Sequence, residues 1–137
     1  MSESAKVAPA RTGEKSIDSE HDVQLQLLDS LAETLNKTDG LEAASYILEQ
    51  FIEFSDMHFL SEQLVMRLHG YPGYEPHLEE HTRLMKKVRE IRARTQKGET
   101  HISLELIQGL RDWLLTHIAS EDIAFGEYLR TKEGKDS

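Results

Sequence analysis

Residues 51–66 read FIEFSDMHFLSEQLVM. Phe51, Phe54, Leu64, Val65 and Met66 mark the inward side of a helix, and His58 and Glu62 fall on that same side one turn apart. An ionised carboxylate aimed without a partner into an apolar core costs several kcal/mol or takes up a proton. The stretch therefore predicts a helix packed against other helices, and a core holding something that can receive an imidazole and a carboxylate.

The same period extends outward through the chain. Four helical segments are predicted at roughly 17–37, 41–69, 75–96 and 101–131, separated by the breaks NKTDG, HGYPGYEP and TQKGET. Ile17, Leu25, Leu28, Leu31 and Leu35 stripe the first, and Ala44, Ile47, Phe51, Phe54 and Val65 the second. Leu84, Val88 and Ile91 mark the third, and Leu106, Leu110, Leu114, Phe125 and Leu129 the fourth. No alternating strand pattern competes, and short connections favour antiparallel neighbours. The expected fold is all-α, an up-down-up-down antiparallel four-helix bundle over 17–131. Residues 1–16, MSESAKVAPARTGEKS, lack apolar period and read as a flexible tail or linker, and 132–137 as a C-terminal tail. Gly109 and Gly126 fall inside the last helix, where close helix packing is the expected reason for them.

The composition narrows the chemistry. A chain of 137 residues is most simply one domain, with room for a real core. The formal charge of −9, with no basic run, argues against a nucleic-acid or anionic-membrane partner. No window is apolar enough to span a bilayer or serve as a signal peptide, so a soluble, cytoplasmic protein is expected. With no Cys, only His and carboxylates remain as strong metal ligands.

Three further features repeat the anomaly of His58 and Glu62. His77 and His81 are four apart on the face of Leu84, Val88 and Ile91, and His21 sits between Ile17 and Leu25. His117 follows Leu110 and Leu114, while Asp122 lies on the neighbouring ridge with Ile118, Phe125 and Leu129. A five-residue α-helical step turns by roughly 140°, so this last pair is expected to straddle the inward face. Chain lengths out and back place all seven groups at one level, near the end of the bundle that carries HGYPGYEP. One inward His is commonly a hydrogen-bonded core residue, but five with two carboxylates at one height favour metal. His69 and His101, at helix ends, are read as ordinary residues. Phe59, Trp113, Leu114 and Ile118 are core positions that also wall the site.

Five imidazoles and two carboxylates are too many for one ion. Two octahedral ions sharing both carboxylates and one solvent-derived bridge need twelve positions, of which this set fills eleven. One position stays open, and an odd number of His makes the two ions unequal.

These residues resemble the hemerythrins, most closely their bacterial branch. The resemblance rests on IDSEH (17–21), HFLSE (58–62), HLEEH (77–81) and HIASED (117–122), with YPGYEP before the third helix and WLLTHI entering the fourth, and covers about 17–130. It implies two non-haem iron ions with a bridging oxo or hydroxo group. His77, His81 and His117 would sit on one ion, His21 and His58 on the other, with Glu62 and Asp122 bridging. It also implies reversible binding of O2 as hydroperoxide at the two-His ion, beside a pocket formed by Phe59, Leu114 and Ile118, in a carrier, store or sensor with no catalytic residues. The aromatic arm usual before the family's first helix is replaced here by the polar tail.

The main alternative is a di-iron oxidase or peroxidase of the ferritin-like kind. That class uses Glu-x-x-His pairs, and this chain has none. A bis-His haem bundle would leave Glu62 and Asp122 unexplained.

Overall fold

The structure, a computed structural model, describes residues 9–37, 40–98 and 102–134. α1 (Lys15–Leu35), α2 (Gly40–Leu68) and α3 (Tyr74–Gln96) are followed by α4 (Leu104–His117), a π-helical turn at Ile118–Asp122 and α5 (Ile123–Gly134). The π turn joins α4 and α5 into one rod. The four rods form the antiparallel four-helix bundle, with α1 against α2 and α4 and α2 against α3. Among the described residues there is no strand, and no helix is long and apolar enough to cross a membrane.

Local chemistry explains where the helices stop. α2 ends in a Schellman motif: Gly70, at φ +62°, donates to the Arg67 carbonyl and Tyr71 to the Met66 carbonyl. Tyr71 and Met66 also pack in one apolar cluster, the hydrophobic contact usual for that motif. The fourth rod begins at Leu104, where Ser103 Oγ accepts from the Leu106 amide and caps the helix. His101 lies outside the described residues.

Several sequence expectations shift. Leu64 faces outward at 53 % exposure; with Met57, Leu60 and Leu68 it belongs to the exposed side of α2, while Met66 is the buried neighbour. Packed structure also begins before residue 17. Thr12 is fully buried: its amide and hydroxyl both donate to Asp18 Oδ1, at 2.8 and 2.9 Å. Arg130 donates to the Thr12 carbonyl. This short strap explains Gly126, since a Cβ there would lie 2.5 Å from the Thr12 carbonyl oxygen. Close packing does not explain Gly109, where an added Cβ would meet nothing within 4 Å. At the other end the helix runs on to Gly134, past the expected boundary at 131.

The apolar core is in two parts. The larger cluster includes Leu25, Leu28, Phe59, Leu84, Val88, Leu114 and Ile118; the smaller joins Met66, Phe125 and Leu129 with Ile17, Tyr71 and Tyr74 at its edge. Every rod passes from one to the other through polar residues. His21 falls between Ile17 and Leu25, Glu62 between Phe59 and Met66, His77 and His81 between Tyr74 and Leu84, and Asp122 between Ile118 and Phe125.

Candidate metal centre

The layer between the two clusters is built from all four rods. His21, His58, Glu62, His77, His81, His117 and Asp122 are each 3 % exposed or less. Their ligand-type atoms form two groups, each with all members within 4.8 Å of one another. One contains Glu62, His77, His81, His117 and Asp122; the other contains His21, His58, Glu62 and Asp122. Both carboxylates are thus common to the two groups.

The imidazoles face inward through Nε2. That atom of His21 lies 2.8 Å from Asp122 Oδ2, and that of His77 2.9 Å from Asp122 Oδ1 and 3.4 Å from Glu62 Oε1. His81 and His117 bring their Nε2 atoms within 3.2 Å of each other, and His117 Nε2 is 3.4 Å from Asp122 Oδ1. Despite these short approaches, both oxygens of Glu62 and Asp122, both nitrogens of His21 and His77, and His58 Nε2 make no hydrogen bond of regular geometry. Buried polar atoms in proteins are rarely left so. Cations shared between them would satisfy the set, and imidazole with carboxylate is a donor combination suited to transition metals.

The π turn corrects the expected relation of His117 and Asp122. On an ideal α-helix the pair would diverge. The wider turn at Ile118–Asp122 accommodates the extra residue and leaves both side chains in the buried layer, in direct contact. Such turns recur at functional sites, where one added residue re-aims a side chain without ending the helix.

Electrostatics follow from the crowding. Burial pushes the Glu62 carboxyl up, and the neighbouring Asp122 pushes it further. Asp122 is held well below the usual carboxylate range, because the imidazoles of His117, His21 and His77 outweigh its burial.

Apolar groups close the layer. Phe59 stacks on His81 with ring centroids 3.8 Å apart and 18° between planes, and lies 5.3 Å from the His58 ring. Trp113 stacks on His117 at 4.9 Å and 9°. Leu114 and Ile118 are fully buried in the same cluster as Phe59. His69 is apart from this layer; its carbonyl accepts from the Tyr128 hydroxyl and Lys132 Nζ.

Three residues outside the expected set also touch it. Glu20 Oε1 is 2.5 Å from His58 Nδ1, Glu80 Oε1 is 2.9 Å from His117 Nδ1, and Gln63 Nε2 is 3.0 Å from His81 Nδ1. In sequence they read as polar-face residues. A signal was present in the doublet Glu-His, which occurs at 20–21 and again at 80–81.

Comparison with known proteins agrees with this geometry. The family model for the hemerythrin HHE cation binding domain matches residues 12–129. A bacteriohemerythrin of Stenotrophomonas maltophilia is 31% identical over 114 residues, covering 83% of this chain and 73% of that protein. One from Methylococcus capsulatus is 27% identical over 112 residues, covering 82% and 85%. A crystal structure of wild-type hemerythrin superposes with a TM-score of 0.79 at 25% identity, covering 82% of this chain and 86% of that one.

Proposed function

Because this chain belongs to the hemerythrin HHE cation-binding family, we propose that it is a cytoplasmic protein that binds O2 reversibly at a non-haem di-iron centre, as a carrier, store or sensor. The observation that carries the reading is the pair of ligand groups sharing Glu62 and Asp122. Two cations held that way would have His77, His81 and His117 on one side and His21 and His58 on the other. The side with two imidazoles would have fewer protein donors and so room for an exogenous ligand.

Ferrous ions held by these seven residues would supply the reversible electron transfer that O2 binding requires. The chain's own task is to keep that exchange dry and contained. Glu62 and Asp122 provide the negative charge that two cations need in a low-dielectric layer. Phe59, Leu114 and Ile118, buried together in the larger apolar cluster, keep bulk water from the layer, and water exclusion suppresses side reactions of a reactive centre. An imidazole-rich donor set with only two core carboxylates favours holding O2 over cleaving it, which is the basis for reading a binding protein and not an oxidase.

The test begins with anaerobic reconstitution. Protein loaded with Fe(II) is expected to retain two equivalents after desalting, to colour in air and to bleach under vacuum. One equivalent, or a stable preference for a single zinc, overturns the reading; direct oxidation with turnover of peroxide or a reductant establishes the enzyme instead. The pocket is tested by Leu114→Ala. Opening that buried site costs about 2–5 kcal/mol of stability and lets water reach the centre, so autoxidation accelerates with iron content unchanged. Leu115→Ala, one residue on and only partly buried, is the control. Equal autoxidation in the two variants refutes the role of Leu114.

A further inference from the structure

Glu20 and Glu80 are arranged alike. Glu20 precedes His21 on α1 but reaches across to His58 on α2; Glu80 precedes His81 on α3 but reaches across to His117 on α4. Each Glu-His doublet therefore does two things. Its His enters the buried layer from its own rod, and its Glu backs an imidazole on the next. The two halves of the bundle repeat one device.

The distribution is even across the two ligand groups. His58 belongs to the smaller and His117 to the larger, so each group receives one imidazole backed by a carboxylate. The other three differ. His81 Nδ1 meets the neutral amide of Gln63, and His21 Nδ1 and His77 Nδ1 have no hydrogen-bond partner among the described residues. Both glutamates keep about a third of their side chains in solvent, at 36% and 34% exposure, while the imidazoles they touch are 1% exposed. Such a carboxylate stays hydrated at one edge while its other oxygen holds a buried ring.

We propose that Glu20 and Glu80 are positioning residues of the two-metal centre: each accepts a hydrogen bond from the Nδ1–H of its imidazole and so fixes the tautomer that aims the Nε2 lone pair inward, giving each metal one donor strengthened by an anion. The proposal rests on the di-metal reading above. Its physical ground is that an imidazole can donate to a metal through only one nitrogen, and the hydrogen bond at the other decides which and how strongly. The two sites are not equally dependent. Glu20 backs one of two imidazoles in its group, Glu80 one of three. Loss of Glu20 should therefore loosen its metal more.

The experiment uses the full chain loaded with two equivalents of Co(II) or Fe(II) and challenged with a chelator. Glu20→Gln keeps an acceptor oxygen and removes the charge; Glu20→Ala removes both. Glu20→Gln is expected to weaken one equivalent by about 10–100-fold, Glu80→Gln to weaken the other by less, and each Ala variant to exceed its Gln counterpart. Glu79→Gln, on the exposed side of α3, should match wild type. A structural role alone would move melting temperature but not the Nδ1–H resonances, which should broaden by solvent exchange for His58 in Glu20→Gln and for His117 in Glu80→Gln. Wild type that holds two metals, with both Gln variants releasing them at the wild-type rate, overturns this proposal alone. Wild type that holds fewer than two overturns the di-metal reading and this proposal with it.

Discussion

His77 and His81 stand one helical turn apart in the same buried layer, yet they treat a proton oppositely. Burial disfavours charge on both. At His77 the contacts with Asp122 and Glu62 outweigh it and hold the group up at about 9. At His81 burial is joined by the repulsion of His77 and His117, which drives it down to about 2. His117 is raised as well: Asp122 and Glu80 outweigh its burial. In the metal-free protein a raised His contributes stability that is fully present below its unfolded value near 6.5 and is lost as pH rises through its folded value. Metal-free protein should therefore melt at lower temperature at pH 9 than at pH 6.5. Metal uptake has the opposite slope, because His77 must give up its proton to become a ligand. Adding Co(II) to unbuffered metal-free protein at pH 7.5 should release protons, and metal affinity should rise between pH 6.5 and 9. Metal-free protein more stable at pH 9, or uptake without acidification, would contradict the protonation pattern described.

At the scale of elements, two glycines in one rod separate propensity from packing. Gly109 is exposed with open space around it, so Gly109→Ala should stabilise the protein by about 0.5–1 kcal/mol through helix propensity alone. Gly126→Ala gains the same term but drives a methyl into the backbone of Thr12, with an expected overpacking cost of about 1–3 kcal/mol. Denaturant midpoints should move in opposite directions. Shifts of the same sign would show that the strap yields freely. The contrast marks what periodicity can convey. The helix stripes, the breaks and the inward set of five His with Glu62 were legible, because burial on a helix repeats every three or four residues. The π turn is not legible there, since one added residue in a hydrogen-bonding pattern leaves no mark in composition, and regular α-helical geometry therefore turns His117 and Asp122 apart. The strap at Thr12 has no period to detect, and its cap, Asp18, reads as a polar residue of the first turn. Glu20, Glu80 and Gln63 lie toward the polar face, where a carboxylate that reaches an imidazole looks like any solvated one. Leu64 differs from its expected inward place for a related reason: in the run LVM at 64–66 all three residues are apolar, so hydrophobicity does not tell which one faces the core.

The molecule as a whole is an apolar core cut across by a polar layer. A continuous core melts as one unit, since losing any part exposes the rest. Here a layer of buried histidines and carboxylates, with few hydrogen bonds between them, lies between the smaller cluster around Met66, Phe125 and Leu129 and the larger one. Without metal those contacts transmit little packing energy, and the molecule is expected to behave as two weakly linked folding units. The smaller unit, with the end of α2, the start of α3 and α5, should open first. Amide exchange in metal-free protein should then show low protection near Tyr71 and Phe125 and high protection near Leu28 and Val88, and calorimetry should give a van't Hoff enthalpy below the calorimetric one. Metal ligated from all four rods would bind the units into one. The two enthalpies should then converge and the protection levels should draw together, making the centre the source of the protein's cooperativity as well as of its chemistry.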